Sequence, residues 1–382
     1  MVRKVFIQNV SSPYFGTLGM RKKEDCVALS ANIMAENGYQ SIIVAIDVLK
    51  LGNLKHPKEK NTIPEVKIYN FKRVLNYFMF ARKYNSATFF GNARTIVGLT
   101  TCFFGEYRIF MSHTCNLPTH WLERKILSFF LKRFDAIKVE SYAEKRLLEK
   151  LGINSHRIFV IPIPIDFDYF SQKPNSNLLK ELKSKYFIAK DEVILIFLAA
   201  LREQKRADTV LKAIKVLKDR GIKVKLLQVG QDLLKERLGK SFVELATEIG
   251  VKENIICAGR VKDEELRALI HLSQIGIQSS EVEGQCIVAF EFAAAGIPEC
   301  LSNIPSFEVF GGNVLRHNPS DYQKLAFNIE FYLNNPNIAK KHVNENKRLV
   351  QEKYDYETVK LEMKKLLINK KECLKRKKRW FK

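Results

Sequence analysis

The sequence predicts an α/β protein with two domains, each built on a parallel sheet. Three observations carry that expectation. Short β-branched and aliphatic runs alternate with helical stretches, a rhythm that gives parallel strands with crossover helices. A length of 382 residues exceeds what one core usually buries and suits two domains of roughly 170 residues. A polar stretch, Gln172 to Asn177, interrupts the rhythm near the middle and marks a linker between about Asp166 and Lys185.

The elements follow in order. Lys4 to Val10 reads as a first strand, then a loop with Gly16 and Gly19, a helix from about Lys23 to Asn37 closed by Gly38, and a second strand at Ser41 to Ala45. Arg108 to His113 is a strand with a polar tip. Ile137 to Ser141 and Ile158 to Asp166 are expected as the last strands of the first half. Two aromatic and basic segments, Phe71 to Lys83 and Trp121 to Arg133, are helix-like and expected to pack an apolar face into their own domain, although both would also suit a membrane surface. In the second half, Val193 to Leu198, Val224 to Gly230 and Ile255 to Gly259 are strands. Ala293 to Pro298 is a helix end turned by Gly296 and Pro298.

The most informative stretch runs from Ser279 to Glu291. Glu283 and Glu291 stand eight positions apart, Gly284 permits a tight turn, and Cys286 onward is apolar enough for a buried helix. The free amides at such a helix opening, Gln285, Cys286 and Ile287, attract an anion. Two carboxylates beside a phosphate-friendly site need another task, most simply hydrogen bonding to sugar hydroxyls. Taken alone, the two acids read first as an ordinary surface loop before a core helix, and only their surroundings reverse that reading.

The pair resembles the E-x7-E motif of glycosyltransferase family 4, the retaining nucleotide-sugar enzymes of the GT-B fold, in which two Rossmann-like domains face a cleft. The loop Ala199 to Asp208 is similar to the family's basic loop, with Arg202 and Lys205 matching the pair that holds the donor diphosphate and Arg206 standing where glycine is common. By the same resemblance Glu291 would hold the ribose, Glu283 the transferred sugar, and Arg260 and Val261 would lie against the base. His113 matches an active-site histidine, and Gly16 and Gly19 fall in a loop near the donor phosphates and the acceptor. Gln285 and Cys286 replace the usual aromatic residue and glycine. Asp166 lacks the asparagine and glycine that precede it in the family.

The resemblance implies an acceptor domain over 1–168, a nucleotide-sugar domain over 186–350, a helix at about 352–370 returning to the first domain, and a basic tail at 371–382. It implies transfer of a hexose-type sugar from a nucleoside diphosphate, UDP before GDP, to a glycan or lipid-linked acceptor, with no cofactor and no metal required. A nucleotide-sugar epimerase on the same fold, a basic nucleic-acid-binding protein and a non-catalytic scaffold are the alternatives.

Composition narrows the partners. The formal charge is +23, and from Lys364 to Lys382 ten Lys or Arg residues face one acid, with Trp380 and Phe381 standing between Arg379 and Lys382. That tail suits an anionic membrane surface. Nucleic acid would explain the charge while leaving the paired motifs unused. No apolar run reaches the roughly 20 residues that span a bilayer, and the amino terminus has no signal-peptide core, so a cytoplasmic protein at the inner face of a membrane is expected. Seven cysteines without C-x2-C spacing suggest neither a zinc site nor a disulfide framework.

Overall fold

The computed structural model describes residues 4–11, 26–46, 67–71, 79–83, 88–92, 101–112 and 117–368. The chain divides into two compact units, Met1–Pro164 with Tyr356–Lys382, and Ile165–Asp355.

The first unit contains β1 (Lys4–Ser11), α1 (Cys26–Glu36), β2 (Tyr39–Ile46), β3 (Lys67–Phe71), β4 (Thr88–Asn92), β5 (Tyr107–Met111), α2 (Trp121–Leu131), β6 (Ala136–Val139), α3 (Tyr142–Lys150) and β7 (Ile158–Val160). Its seven strands run parallel in the order β3-β2-β1-β4-β5-β6-β7. Fully buried strands of this kind carry unbroken apolar runs. Ile109, Phe110 and Met111 of β5 accordingly leave almost nothing exposed.

The second unit begins with α4 (Phe167–Ser171) and α5 (Ser176–Lys185) and continues through β8 (Val193–Leu198), α6 (Ala207–Asp219), β9 (Val224–Val229), α7 (Lys235–Leu238), α8 (Phe242–Ile249), β10 (Ile255–Gly259), α9 (Asp263–Leu272), β11 (Ile275–Gln278), α10 (Ile287–Ala295), β12 (Glu299–Ser302), β13 (Leu315–His317), α11 (Tyr322–Asn334) and α12 (Pro336–Lys353). Its sheet is also parallel, in the order β10-β9-β8-β11-β12-β13. The chain therefore leaves β8 toward one edge, returns, and leaves β11 toward the other. In open parallel sheets ligands gather outside the carboxyl ends of the strands at such a reversal, which points to the loops after β8 and β11.

These strand ends are positioned by close packing beneath them. Helix α10 is apolar on every side but for Glu291, and all residues from Ala289 to Ala295 are buried. It lies against β11 where Gly276 leaves room, since a β-carbon there would sit 2.3 Å from the Phe292 ring. On the opposite face α6 buries Ala207, Val210, Leu211, Ala213, Ile214 and Leu217 as one helical stripe. Gly230, with φ +123°, ends β9 so close to β8 that a β-carbon would fall 2.2 Å from the Ala199 carbonyl oxygen.

The last helix, α13 (Tyr356–Ile368), completes the core of the first unit. Val359, Met363, Leu366 and Leu367 share one stripe and pack with Phe6, Leu29, Ile33 and Tyr107, whose hydroxyl donates to the Leu366 carbonyl at 3.0 Å.

Several expectations are corrected. The segment expected as a linker over 166–185 is α4 and α5, with Phe167, Phe170 and Leu182 buried in the second unit. Its polar residues are caps: Asp166 accepts from the Tyr169 amide and Asn175 from the Asn177 amide. The strand expected at Ile158 to Asp166 stops at Val160, because Pro162 and Pro164 cannot donate to a ladder. Phe71 closes β3 and opens no helix; Met79 to Arg82 are helical, and 72–78 lie outside the described residues. Helix α2 does pack an apolar face into its own unit, through Leu127, Phe130 and Leu131, but leaves a second set, Trp121, Leu122, Ile126 and Phe129, exposed.

Candidate functional site

The loop after β8 supplies the cations. Ala199 and Leu201 anchor it by amide bonds to the Val229 and Gln231 carbonyls, and a 3₁₀ turn, Glu203–Lys205, follows. Arg202 precedes that turn, exposed and without a carboxylate partner among the described residues. Arg206 then takes a left-handed backbone, φ 51° and ψ 49°. A side chain seldom adopts that conformation, which explains why a glycine is the natural occupant. Its guanidinium holds it there through two bonds of 2.9 Å to Asp208 and one of 2.9 Å to Glu281. These carboxylates keep the guanidinium charged well above the ordinary arginine value, led by Asp208.

The loop after β11 brings the acids. Ser279 and Ser280 are fully buried at the strand end, and the Glu281 amide donates to the Gln204 carbonyl at 2.8 Å, tying the two loops together. Glu283 accepts from Lys205 Nζ at 2.5 Å and from Ser280 Oγ at 2.6 Å on the same oxygen, Oε1. Ser306 Oγ donates to its carbonyl at 2.5 Å. Burial depresses the Lys205 ammonium, yet the charge and hydrogen bond of Glu283 oppose that effect, and its pKa lies above the usual lysine value. Lys205 therefore stays protonated at neutral pH.

Gly284 and Gln285 are half-buried and lead into α10, whose N-cap position is Cys286. The thiol is buried, which raises its pKa, with Glu283 adding to the rise. It is no nucleophile at neutral pH. No side chain caps α10 at this residue, so the opening amides around Ile287 are presented at the loop. Glu291 is 4% exposed, the sole charged residue on α10, and engaged by its neighbours.

Other predicted residues lie apart. Arg260 and Val261 follow β10 at the sheet edge, two strands from β8; Arg260 is exposed and Val261 packs partly into the core. His113, Gly16 and Gly19 lie outside the described residues.

Sequence reasoning missed Ser280 and Ser306 as supports of Glu283, and Asp208 and Glu281 as the clamp on Arg206. It missed His317 as well, whose Nε2 lies 3.0 Å from Ser279 Oγ, which in turn donates to the Pro319 carbonyl. The charge next to Arg206 was a readable signal for Asp208; Ser306 and His317 are joined to the loop only by strand order. Among the described residues no cluster of His, Cys, Asp and Glu could hold a metal ion, and no helix is long and apolar enough to cross a membrane.

Comparison with known proteins bears on this second unit first. Residues 180–350 match the family model of glycosyl transferases group 1. The lipopolysaccharide 1,2-N-acetylglucosaminetransferase of Salmonella typhimurium is 27% identical over 145 residues, covering 36% of either chain. The chain spans less than half the length of the curated relatives it matches. Solved structures extend the likeness to both units. A glycosyltransferase from Rickettsia africae superposes with a TM-score of 0.77 at 19% identity, over 97% of this chain and 100% of that one. Anabaena HepE in complex with UDP also gives 0.77, at 15% identity over 96% and 100%. The fold is GT-B, with two Rossmann-like parallel-sheet domains.

Proposed function

We propose that the chain is a retaining glycosyltransferase that moves a hexose-type sugar from a nucleoside diphosphate, UDP in first place and GDP in second, to a glycan or lipid-linked acceptor. The observation that carries this reading is the meeting of Lys205, Glu283 and the opening of α10 at the sheet reversal. As the bond from the anomeric carbon to the diphosphate breaks, its electron pair passes to the phosphate oxygen. Lys205, the exposed Arg202 and the helix amides receive that charge without reorganising. Two cations and a helix terminus supply what a bound metal would otherwise supply, so no metal or cofactor is needed.

Glu283 serves the donor sugar as a fixed acceptor of hydroxyl hydrogen bonds. Its Oε1 is already saturated by Lys205 and Ser280, a setting that lowers nucleophilicity and favours orientation. Glu291 holds the ribose, and Arg260 and Val261 flank the base. His113 and the Gly16 to Gly19 loop are assigned to the acceptor and donor phosphates. The UDP bound by the similarly folded Anabaena protein supports uridine as the first base to test. The enzyme works in the cytoplasm, peripheral to a membrane.

The test is calorimetric titration of UDP, GDP and ADP, with and without magnesium, into the wild type and Glu291→Ala. Metal-independent binding of one nucleotide, lost in the variant, supports the reading. Binding of none of the three would end it.

A further inference from the structure

Helix α2 presents an outward arc that combines apolar and basic side chains. At about 100° per residue, Trp121, Lys125, Phe129, Leu122 and Ile126 fall within about 140° of one another. Trp121 is 60% exposed and Phe129 48%, while the inner face packs through Leu127, Phe130 and Leu131. Phe103, 55% exposed, extends the patch from the adjoining 3₁₀ turn and meets Phe130 edge to face. Cations stand directly on these rings. Lys125 Nζ lies 4.7 Å from the centre of Trp121, and the Arg133 guanidinium 3.4 Å from that of Phe129. Arg124, Lys125, Lys132, Arg133 and Lys150 line an adjacent concavity of about 440 Å³. The one acid of the helix, Glu123, falls about 130° from the middle of the arc.

We infer that this face docks on the surface of an anionic lipid bilayer. The aromatic residues and arginines would suit a protein partner too, but the lysines Lys125, Lys132 and Lys150 set the face apart, since lysine is depleted at the centre of protein interfaces. A bilayer interface takes both components at once. Tryptophan and phenylalanine settle at the level of the headgroups, and Lys and Arg extend beside them to the lipid phosphates. The concavity places further positive charge at the same depth, and its cations complement phosphate. The arc belongs to the first unit alone, so this inference does not rest on the transfer reaction proposed for the second.

The test uses the full chain with sedimentation on vesicles of phosphatidylcholine containing phosphatidylglycerol. Trp121 and Trp380 are the two tryptophans. In a Trp380→Phe background the emission of Trp121 therefore reports its own surroundings, and it is expected to shift to the blue on anionic vesicles. Lys125→Gln with Lys132→Gln and Arg133→Gln should weaken binding about a hundredfold, a factor of about five for each near-surface charge. Trp121→Ala with Phe129→Ala should weaken it about tenfold or more. All but the half-buried Arg133 are exposed, so the fold tolerates their replacement. Unmoved Trp121 emission at saturating lipid, or vesicle binding unchanged in both sets of variants, would overturn the inference. So would a self-association that the apolar variant abolishes while vesicle binding persists, since the face would then belong to a second copy.

Discussion

Replacing Lys205 by alanine probes the site at its best-defined contact. Its ammonium lies 2.5 Å from Glu283 Oε1, with the two side chains 19% and 13% exposed. In the resting protein it neutralises Glu283; in the proposed reaction it also faces the departing diphosphate. Removing one preorganised donor from such a site costs about 2.7–4 kcal/mol of transition-state stabilisation, a factor of about 10²–10³ in turnover. A second, smaller cost falls on the fold, because Glu283 loses its counterion but keeps Ser280. Full loss of a partner in a buried pair costs about 3–5 kcal/mol, and the partial exposure here brings the expectation nearer 1–2 kcal/mol. At about 2–4 °C per kcal/mol for a unit of this size, melting should fall by several degrees. The assay is release of nucleoside diphosphate from the donor sugar, with thermal melting alongside. Glu283→Gln in the same background should recover part of the stability and none of the turnover, giving a clear coupling between the two positions. Turnover within about threefold of wild type in Lys205→Ala would refute the assignment, given the size of the effect expected.

Three further outcomes follow from groups packed in the second unit. Burial lowers the His317 pKa to about 4, so its contribution to stability is complete above the unfolded value of about 6.5 and is lost as pH falls toward 4. Acid melting of the wild type should show that loss, roughly 3 kcal/mol between pH 7 and 4, and His317→Gln should remove it. Glu299 is fully buried, with Oε2 unpartnered among the described residues and Asn346 3.5 Å from Oε1, and burial raises its pKa well above the carboxylate range. Its stabilising proton is in place at low pH and lost as pH rises through the folded value, so Glu299→Gln should raise the melting temperature more at pH 8 than at pH 5. Gly230→Ala forces a β-carbon onto the Ala199 carbonyl and should cost about 3 kcal/mol while weakening nucleotide binding; an unchanged melt would contradict that packing.

How much of this was legible beforehand depends on whether the signal was local. Strands such as β8 and the helix α10 announce themselves through unbroken apolar runs, and Arg202, Lys205 and Glu283 stand out as charges at strand ends. Local pattern fails where a polar residue is a cap, as Asp166 and Asn175 are, since caps and linkers use the same residue types. It fails at Arg206, where the clamp from Asp208 and Glu281 supports a backbone that composition assigns to glycine. Ser306 and His317 meet the loop after β11 through tertiary neighbours 23 and 38 residues away. For α2, periodicity identifies apolar positions, but which of them the domain covers is a property of the packed structure.

In the proposed reaction the loops after β8 and β11 hold one diphosphate between them. The most direct test of that arrangement compares the affinities of UDP and UMP, with GDP and GMP in parallel, for the wild type, Arg202→Ala and Lys205→Ala. The second phosphate is expected to strengthen binding to the wild type about tenfold or more, as a charge-assisted contact should, and either variant to remove most of that gain. Equal affinity for the mono- and diphosphate, or a gain that survives both substitutions, would contradict it.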